Sequence, residues 1–200
     1  DKLAAAEQSK QQQIQAAKNQ MSQLDPGTRG PADRFVDALR RGDFEEAITS
    51  FNLAIEQRNG DFPKAWHNLG LALARRGDLE QAAGAFRKAL DQRQGNYPDT
   101  QFELGRVLLE KGDPAAAAEA MRAAIQQRRS AFPQAHFELS RALYALGQLE
   151  EAIAEAHLAI EQQHAYPEAH YALGRALARR GDLTEAIDCF RTAISQRENF

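Results

Sequence analysis

Apolar residues along this chain recur at helical spacing, not strand alternation, and they come in paired stripes. From Pro63, the residues Trp66, Leu69, Gly70, Leu73 and Ala74 share one face of a first stripe. Leu79, Ala82, Ala83, Phe86, Ala89 and Leu90 share one face of a second, after a Gly-Asp break. The same pair starts again at Pro98, Pro133 and Pro167, and a degraded copy begins near Thr28 and is clearest in ADRFVDALRRGDFEEAI. Starts at 28, 63, 98, 133 and 167 differ by 35, 35, 35 and 34 residues. A fixed period of that length marks a solenoid of supersecondary units, each burying its apolar face against its neighbours. The pattern predicts ten helices, near 32–41, 44–58, 64–76, 79–93, 99–111, 114–129, 134–146, 149–163, 168–180 and 183–197.

The breaks carry helix-end chemistry. Gly42, Gly77, Gly112, Gly147 and Gly181 stand where a first helix should close through a left-handed residue. Asp43, Asp78, Asp113 and Asp182 follow as expected N-caps, with Gln148 in the remaining copy. Glu46, Gln81 and Glu185 lie three residues further on, as in a capping box, and Pro114 falls at a first helical position. Each loop between copies ends in an aromatic and a proline: Phe62-Pro63, Tyr97-Pro98, Phe132-Pro133 and Tyr166-Pro167. The aromatic is expected to plug the loop, and the proline to act as the stop before the next helix. Small residues (Gly70, Gly105, Ser140 and Gly174 on first helices, Ala47, Ala82, Ala117, Ala152 and Ala186 on second helices) would let each pair approach closely. Leu69, Leu104, Leu139, Leu173, Phe51, Phe86, Met121 and Phe190 would fill the space beside those crossings.

In register from about residue 32 to 200, these positions resemble the tetratricopeptide repeat family. The copy from Pro63 holds the signature as Trp66, Leu69, Gly70, Leu73, Ala82, Phe86, Ala89 and Gln94, with Gln94 where the family usually has Pro. Other departures are Gln101, His136 and His170 at the Trp place, Ala156 at the second-helix aromatic, and Arg34 and Phe35 at the Leu-Gly pair of the first copy. The resemblance implies an all-α fold: a right-handed superhelical solenoid of antiparallel helix pairs, with first helices lining the concave face. The expected organisation is an N-terminal helix or stalk over 1–24, a linker over 25–31, and an array over 32–200 with units near 32–62, 63–97, 98–132, 133–166 and 167–200.

Composition narrows the functions that such an array could serve. The net charge is −3, and residues 1–31 hold four basic and three acidic residues, which leaves the array at about −4 and gives no electrostatic case for nucleic acid. No stretch approaches the run of about 18 apolar residues of a membrane span. The single Cys189 excludes an internal disulfide. Residues 1–24 are rich in Ala, Gln and Lys, good helix formers, with Ile14, Ala17, Met21 and Leu24 as a short seam that Leu3 extends and Glu7 and Lys10 interrupt. That segment reads as a solvated helix, a short coiled coil, a helix laid on the array, or the stalk below an upstream anchor. The chain starts at Asp1 and stops at Phe200, where the pattern would next place a loop proline, so a longer parent chain is expected. The expected location is cytoplasmic, with a membrane tether upstream of Asp1 as the alternative.

The resemblance also implies which first-helix positions face the groove. The fifth position reads His67, Phe102, Phe137 and Tyr171; the sixth Asn68, Glu103, Glu138 and Ala172; the ninth Leu71, Arg106, Arg141 and Arg175. Tyr144 lies at a twelfth position, and Arg75 and Arg179 at thirteenths. Three consecutive units thus stack an aromatic ring and, four residues on, an arginine. Rings bury apolar groups and guanidinium groups make paired bonds to carboxylates, so the expected ligand is a peptide or partner helix with acidic groups. The competing reading is that Glu103–Arg106 and Glu138–Arg141 satisfy each other as i,i+3 pairs on a solvated face. The family's carboxylate clamp, which binds chaperone C-termini, does not fit: one register gives Ala32, Val36, Asn68, Asp99 and Glu103, and the next His67, Leu71, Glu103, Gln134 and Glu138.

Catalysis finds little support. His67, His136, His157, His164 and His170 form no His-x-x-x-His pair, and His136 and His170 replace a packing aromatic. Cys189 has no neighbouring base in sequence, and the glycines punctuate repeats without forming a phosphate loop. No catalytic residue, metal or cofactor is expected. The preferred reading is a non-catalytic interaction scaffold using His67, Asn68, Phe102, Arg106, Phe137, Arg141, Tyr144, Tyr171 and Arg175. The alternatives are a module that self-associates through residues 1–24 or its C-terminal end, and the targeting domain of a larger enzyme or membrane-anchored protein.

Overall fold

The computed structural model describes residues 43–128 and 130–198. Among these are nine α-helices and no strand: α1 (Phe44–Gln57), α2 (Pro63–Arg76), α3 (Leu79–Gln92), α4 (Pro98–Glu110), α5 (Pro114–Gln127), α6 (Pro133–Leu146), α7 (Leu149–Gln162), α8 (Pro167–Arg180) and α9 (Leu183–Glu198). Periodicity located each of them to within about two residues. The helix expected over 32–41, the N-terminal helix over 1–24 and the linker over 25–31 lie outside the described residues.

The helix ends correct two expectations. Pro63, Pro98, Pro133 and Pro167 are the first residue of a helix, not the stop before it. The first turn needs no N–H from its leading residue, and proline's fixed φ suits that position. The preceding aromatic takes the extended N-cap backbone, as at Phe62 with φ −153° and ψ 78°. The second correction concerns the aspartates. Asp113 does cap α5, accepting from the Ala116 N–H at 3.1 Å. Asp43 and Asp78 occupy the cap position without a side-chain cap bond. Asp78 instead pairs with Arg76, and Asp182 pairs with Arg180, in each case a guanidinium two residues upstream. A charged donor makes the stronger bond and outcompetes the backbone N–H groups. The glycine expectation holds at Gly77, Gly112, Gly147 and Gly181, all at positive φ, while Gly42 lies outside the described residues. Gly77 sits at φ +95°, with its N–H on the Ala74 carbonyl and the Asp78 N–H reaching back to the Leu73 carbonyl at 2.9 Å.

The chain divides into two compact units after Gln94. In the first, α2 packs against both α1 and α3. In the second, α5 to α9 each pack on the helix before them, and α6 also touches α4 and α8, so these first helices stand side by side.

Inside each pair the core is a set of matched sizes. A methyl placed on Gly70 would stand 2.5 Å from the ring of Phe86, and one on Gly174 would stand 2.7 Å from the ring of Phe190. The ring therefore lies on the bare backbone of the opposing first helix. In the α6–α7 pair the first helix has Ser140, and the facing residue is Ala156, fully buried. The Ser140 hydroxyl, also buried, donates to the Ala152 carbonyl at 2.7 Å. Two departures from the repeat pattern are thus one substitution in two parts, with small against slightly larger replacing large against nothing.

A glutamine closes the units. Gln127 Nε2 donates to the Gly95 carbonyl at 2.9 Å, while its Oε1 accepts from the Tyr97 N–H at 3.1 Å. Gln92 reaches the Gly60 carbonyl at 2.5 Å, Gln162 accepts from the Phe132 N–H at 2.7 Å, and Gln196 donates to the His164 carbonyl at 3.1 Å. Each ties the end of a second helix to the loop that precedes its own first helix.

Candidate functional site

Residues four apart on a helix lie one above the other, so the fifth and ninth positions of α4, α6 and α8 form a ring-and-guanidinium pair on each. Arg106 lies 5.9 Å from the Phe102 ring centre, Arg141 5.7 Å from Phe137, and Arg175 6.0 Å from Tyr171. The three pairs are not equivalent. Arg106 donates to Glu103 at 3.0 Å and Arg141 to Glu138 at 2.6 Å, so the i,i+3 pairing weighed from the sequence is formed in both. Position 172 is alanine, and Arg175 makes no ion pair among the described residues. Its guanidinium lies instead 4.5 Å from the ring centre of Tyr144 on α6. Arg179 approaches the same ring at 5.0 Å and donates to the Tyr144 carbonyl at 2.8 Å.

The rings also differ. Phe102 packs on the loop aromatic Phe132 at 4.9 Å between centres, and Phe137 on Tyr166 at 5.3 Å. Phe132 and Tyr166, two of the expected loop plugs, are therefore seated on the fifth-position rings of α4 and α6, which are half-buried. Phe132 is covered further by Arg128, 4.2 Å above it. Burial raises the Tyr166 phenol to about 12, with Glu138 and Glu168 adding to the effect, so it stays neutral. Tyr171 is 54% exposed and packs on Phe190 with ring centres 5.6 Å apart.

Two adjoining clefts open on these helices. One of about 280 Å³ is lined by Leu109, Ser140, Arg141, Tyr144, Ala145, Ala172 and Arg175. The other, about 670 Å³, is lined chiefly by apolar groups of Phe137, Tyr171, Phe190, Ala193 and Ile194, together with Arg141, Arg175, Arg197 and Glu168. They share Arg141, Ala172 and Arg175. The structure thus brings Phe137, Arg141, Tyr144, Tyr171 and Arg175 together. Phe102 and Arg106 lie on the neighbouring α4, outside both linings. His67 and Asn68 belong to the other compact unit, where His67 packs on Phe86 at 5.7 Å and Asn68 is buried.

Sequence reading assigned Phe190 to packing alone and passed over Ile194, though both lie on a second helix and line the larger cleft, and it left Arg179 out of the site. The recurrence of Gln57, Gln92, Gln127, Gln162 and Gln196 at the repeat period was a signal for the loop ties that no signature position carries. Of the histidines, His136 is buried with Nδ1 2.7 Å from Glu155. Burial lowers the His170 pKa from its usual 6.5, partly opposed by a hydrogen bond with the His164 backbone. Burial, with Glu185 and Asp188 nearby, raises the Cys189 thiol and keeps it protonated, a poor nucleophile. Among the described residues, no three His, Cys, Asp or Glu side chains gather as a metal site, and no helix is long and apolar enough to cross a membrane.

A tetratricopeptide repeat family model matches residues 33–97 and 102–166, and a second tetratricopeptide repeat model matches residues 167–200. Among solved structures, MamA from residue 41 to its end, from Desulfovibrio magneticus RS-1, is similar with a TM-score of 0.77 at 25% identity, over 84% of this chain and 94% of that one. YrrB, described as a TPR protein with an unusual peptide-binding site, shares the fold with a TM-score of 0.74 at 20% identity, over 92% of this chain and 94% of that one. No curated protein matches the chain.

Proposed function

Because the chain belongs to the tetratricopeptide repeat family, we propose that it is a non-catalytic interaction scaffold that holds a peptide or partner helix with acidic groups along α4, α6 and α8. One observation carries this reading: two adjoining clefts share Arg141, Ala172 and Arg175 and are bordered by Tyr144, Phe137 and Tyr171. Open rings bury a ligand's apolar side chains, and guanidinium groups select its carboxylates. Phe102 and Arg106 extend the same register onto α4, and His67 and Asn68 hold the corresponding places in the other compact unit. The peptide-binding site named for YrrB belongs to a protein of the same fold, and agrees with this reading without locating the ligand here.

The test is titration of the chain with fluorescent peptides that pair apolar and acidic residues. Replacing Arg106, Arg141 and Arg175 together with Ala should weaken binding by roughly tenfold or more while leaving the helical circular dichroism unchanged. Unchanged affinity in the triple variant would overturn the reading.

A second reading is self-association, and it rests on α9. Leu183, Ile187 and Ile194 are 62%, 48% and 58% exposed, whereas Ile153, at the place of Ile187 on α7, is 8% exposed. Covering what remains exposed of each of those side chains is worth on the order of 1 kcal/mol. Sedimentation of the chain at rising concentration tests it: a dimer that Ile187→Glu abolishes supports the reading, and a monomer throughout rejects it.

A further inference from the structure

The three arginines of the row look alike in sequence but differ in electrostatics, and the difference traces to one position. On α4 and α6 the residue before the arginine by three is Glu103 or Glu138, and each is bonded to its arginine. On α8 that residue is Ala172. A carboxylate ligand approaching Arg106 or Arg141 meets a neutralised pair and the repulsion of the built-in glutamate. Approaching Arg175, it meets a guanidinium 4.5 Å from the Tyr144 ring centre and 6.0 Å from that of Tyr171, with Arg179 5.0 Å from the same Tyr144 ring.

The rest of the cleft reinforces this asymmetry. Glu168 stands seven residues before Arg175 on α8, about 10 Å along the helix at 1.5 Å per residue. Arg197 lies near the end of α9, which packs antiparallel to α8, so Glu168 and Arg197 share the opposite end of the larger cleft. Positive charge without a local counter-charge therefore concentrates at Arg175. Beside it are the exposed face of Tyr171 and the apolar walls of Phe137, Phe190 and Ile194.

Resting on the groove reading above, we propose that Arg175 alone is the acid-reading residue of the row, and that Arg106 and Arg141 serve as neutral shelves. The ligand chemistry it selects is an apolar or aromatic side chain, seated against Tyr171 and Phe190, next to an Asp or Glu whose carboxylate bridges to Arg175 over Tyr144. Ala172 sets this specificity by leaving the cation unpaired.

The experiment selects peptides from a random dodecapeptide display library on the 200-residue chain, then measures a selected peptide by fluorescence anisotropy. The expected consensus is one acidic position adjacent to a large apolar one. Arg175→Ala should then weaken binding by roughly tenfold, and Ala172→Glu, which installs the glutamate found on α4 and α6, should do the same, while Arg106→Ala and Arg141→Ala each cost clearly less than Arg175→Ala. Circular dichroism of Ala172→Glu keeps the test valid should Arg175→Ala unfold. Equal losses from all three arginine variants, or tolerance of Asn or Gln at the acidic position, overturn the proposal but spare the groove. A library that yields no peptide overturns the groove reading itself.

Discussion

The guanidinium of Arg175 on α8 lies 4.5 Å from the ring centre of Tyr144 on α6, a stacked contact between consecutive first helices. Arg179 shares that ring. Tyr144 thus joins two neighbouring repeats of the second compact unit and lies against the cation of the candidate site. Each exposed cation–ring contact is worth roughly 0.5–1 kcal/mol. Tyr144→Leu should therefore lower stability by about 1 kcal/mol in urea unfolding and weaken a groove peptide as well. Tyr144→Phe, which keeps the ring face, should match the parent chain in both measurements.

The matched sizes at Ser140 and Ala156 make a second prediction. Ala156→Phe drives a ring against the Ser140 side chain and should cost about 1–3 kcal/mol, the usual penalty of overpacking. Adding Ser140→Gly recreates the pairing seen at Gly70 and Phe86, so the double variant should recover most of the loss. A thermodynamic cycle from denaturant midpoints reads the coupling; additive costs would reject the match.

The glutamine ties predict a loss distributed along the array. Gln127→Ala releases the Gly95 carbonyl and one acceptor of the Tyr97 N–H, two contacts that together should cost about 1–3 kcal/mol in equilibrium unfolding. Glu at the same position keeps the acceptor and loses the donor, so it should recover only part of the loss. A Gln127→Ala chain as stable as the parent would show that the loop holds its shape without the tie.

The fourth prediction concerns pH. His170 has its pKa lowered on folding, first by burial, with the charge of His157 adding to the effect and a hydrogen bond with the His164 backbone opposing it. The native state therefore resists protonation more than the unfolded chain does. The stability contribution is full above the ordinary histidine value of 6.5. It declines as pH falls through that value and levels off below the lowered native one. His170→Phe removes this dependence. Between about pH 7.5 and about pH 5.5, the parent chain should lose more stability than the variant; parallel pH profiles would contradict the assignment.

The repeat was legible because local rules and packing agree. Proline at the helix start, glycine at its end and alanine at the crossing each satisfy a local backbone requirement and also a requirement of the neighbouring helix. Periodicity therefore found all nine described helices. Asp113 caps its helix as expected, but Asp78 and Asp182 misled because N-cap propensity describes an isolated helix end. Arg76 and Arg180 sit two residues upstream, and the competition between their guanidinium groups and the backbone N–H groups is settled by geometry across the turn.

For the candidate site, sequence register identified the ring-and-arginine row on α4, α6 and α8, since positions four apart must share a helix face. It also offered the Glu-Arg pairs, which formed. Sequence alone determined that this chain is a tetratricopeptide repeat array, because the period is fixed by backbone geometry, and the resemblance to that family supplied which first-helix residues are candidates to face a groove. Only the tertiary structure decided that Phe132 and Tyr166 cover two of the rings, that Phe190 and Ile194 of a second helix wall the larger cleft, and that Tyr144 bridges to Arg175. Those relations depend on how one helix pair lies on the next, and packing between elements leaves no periodic mark in the chain.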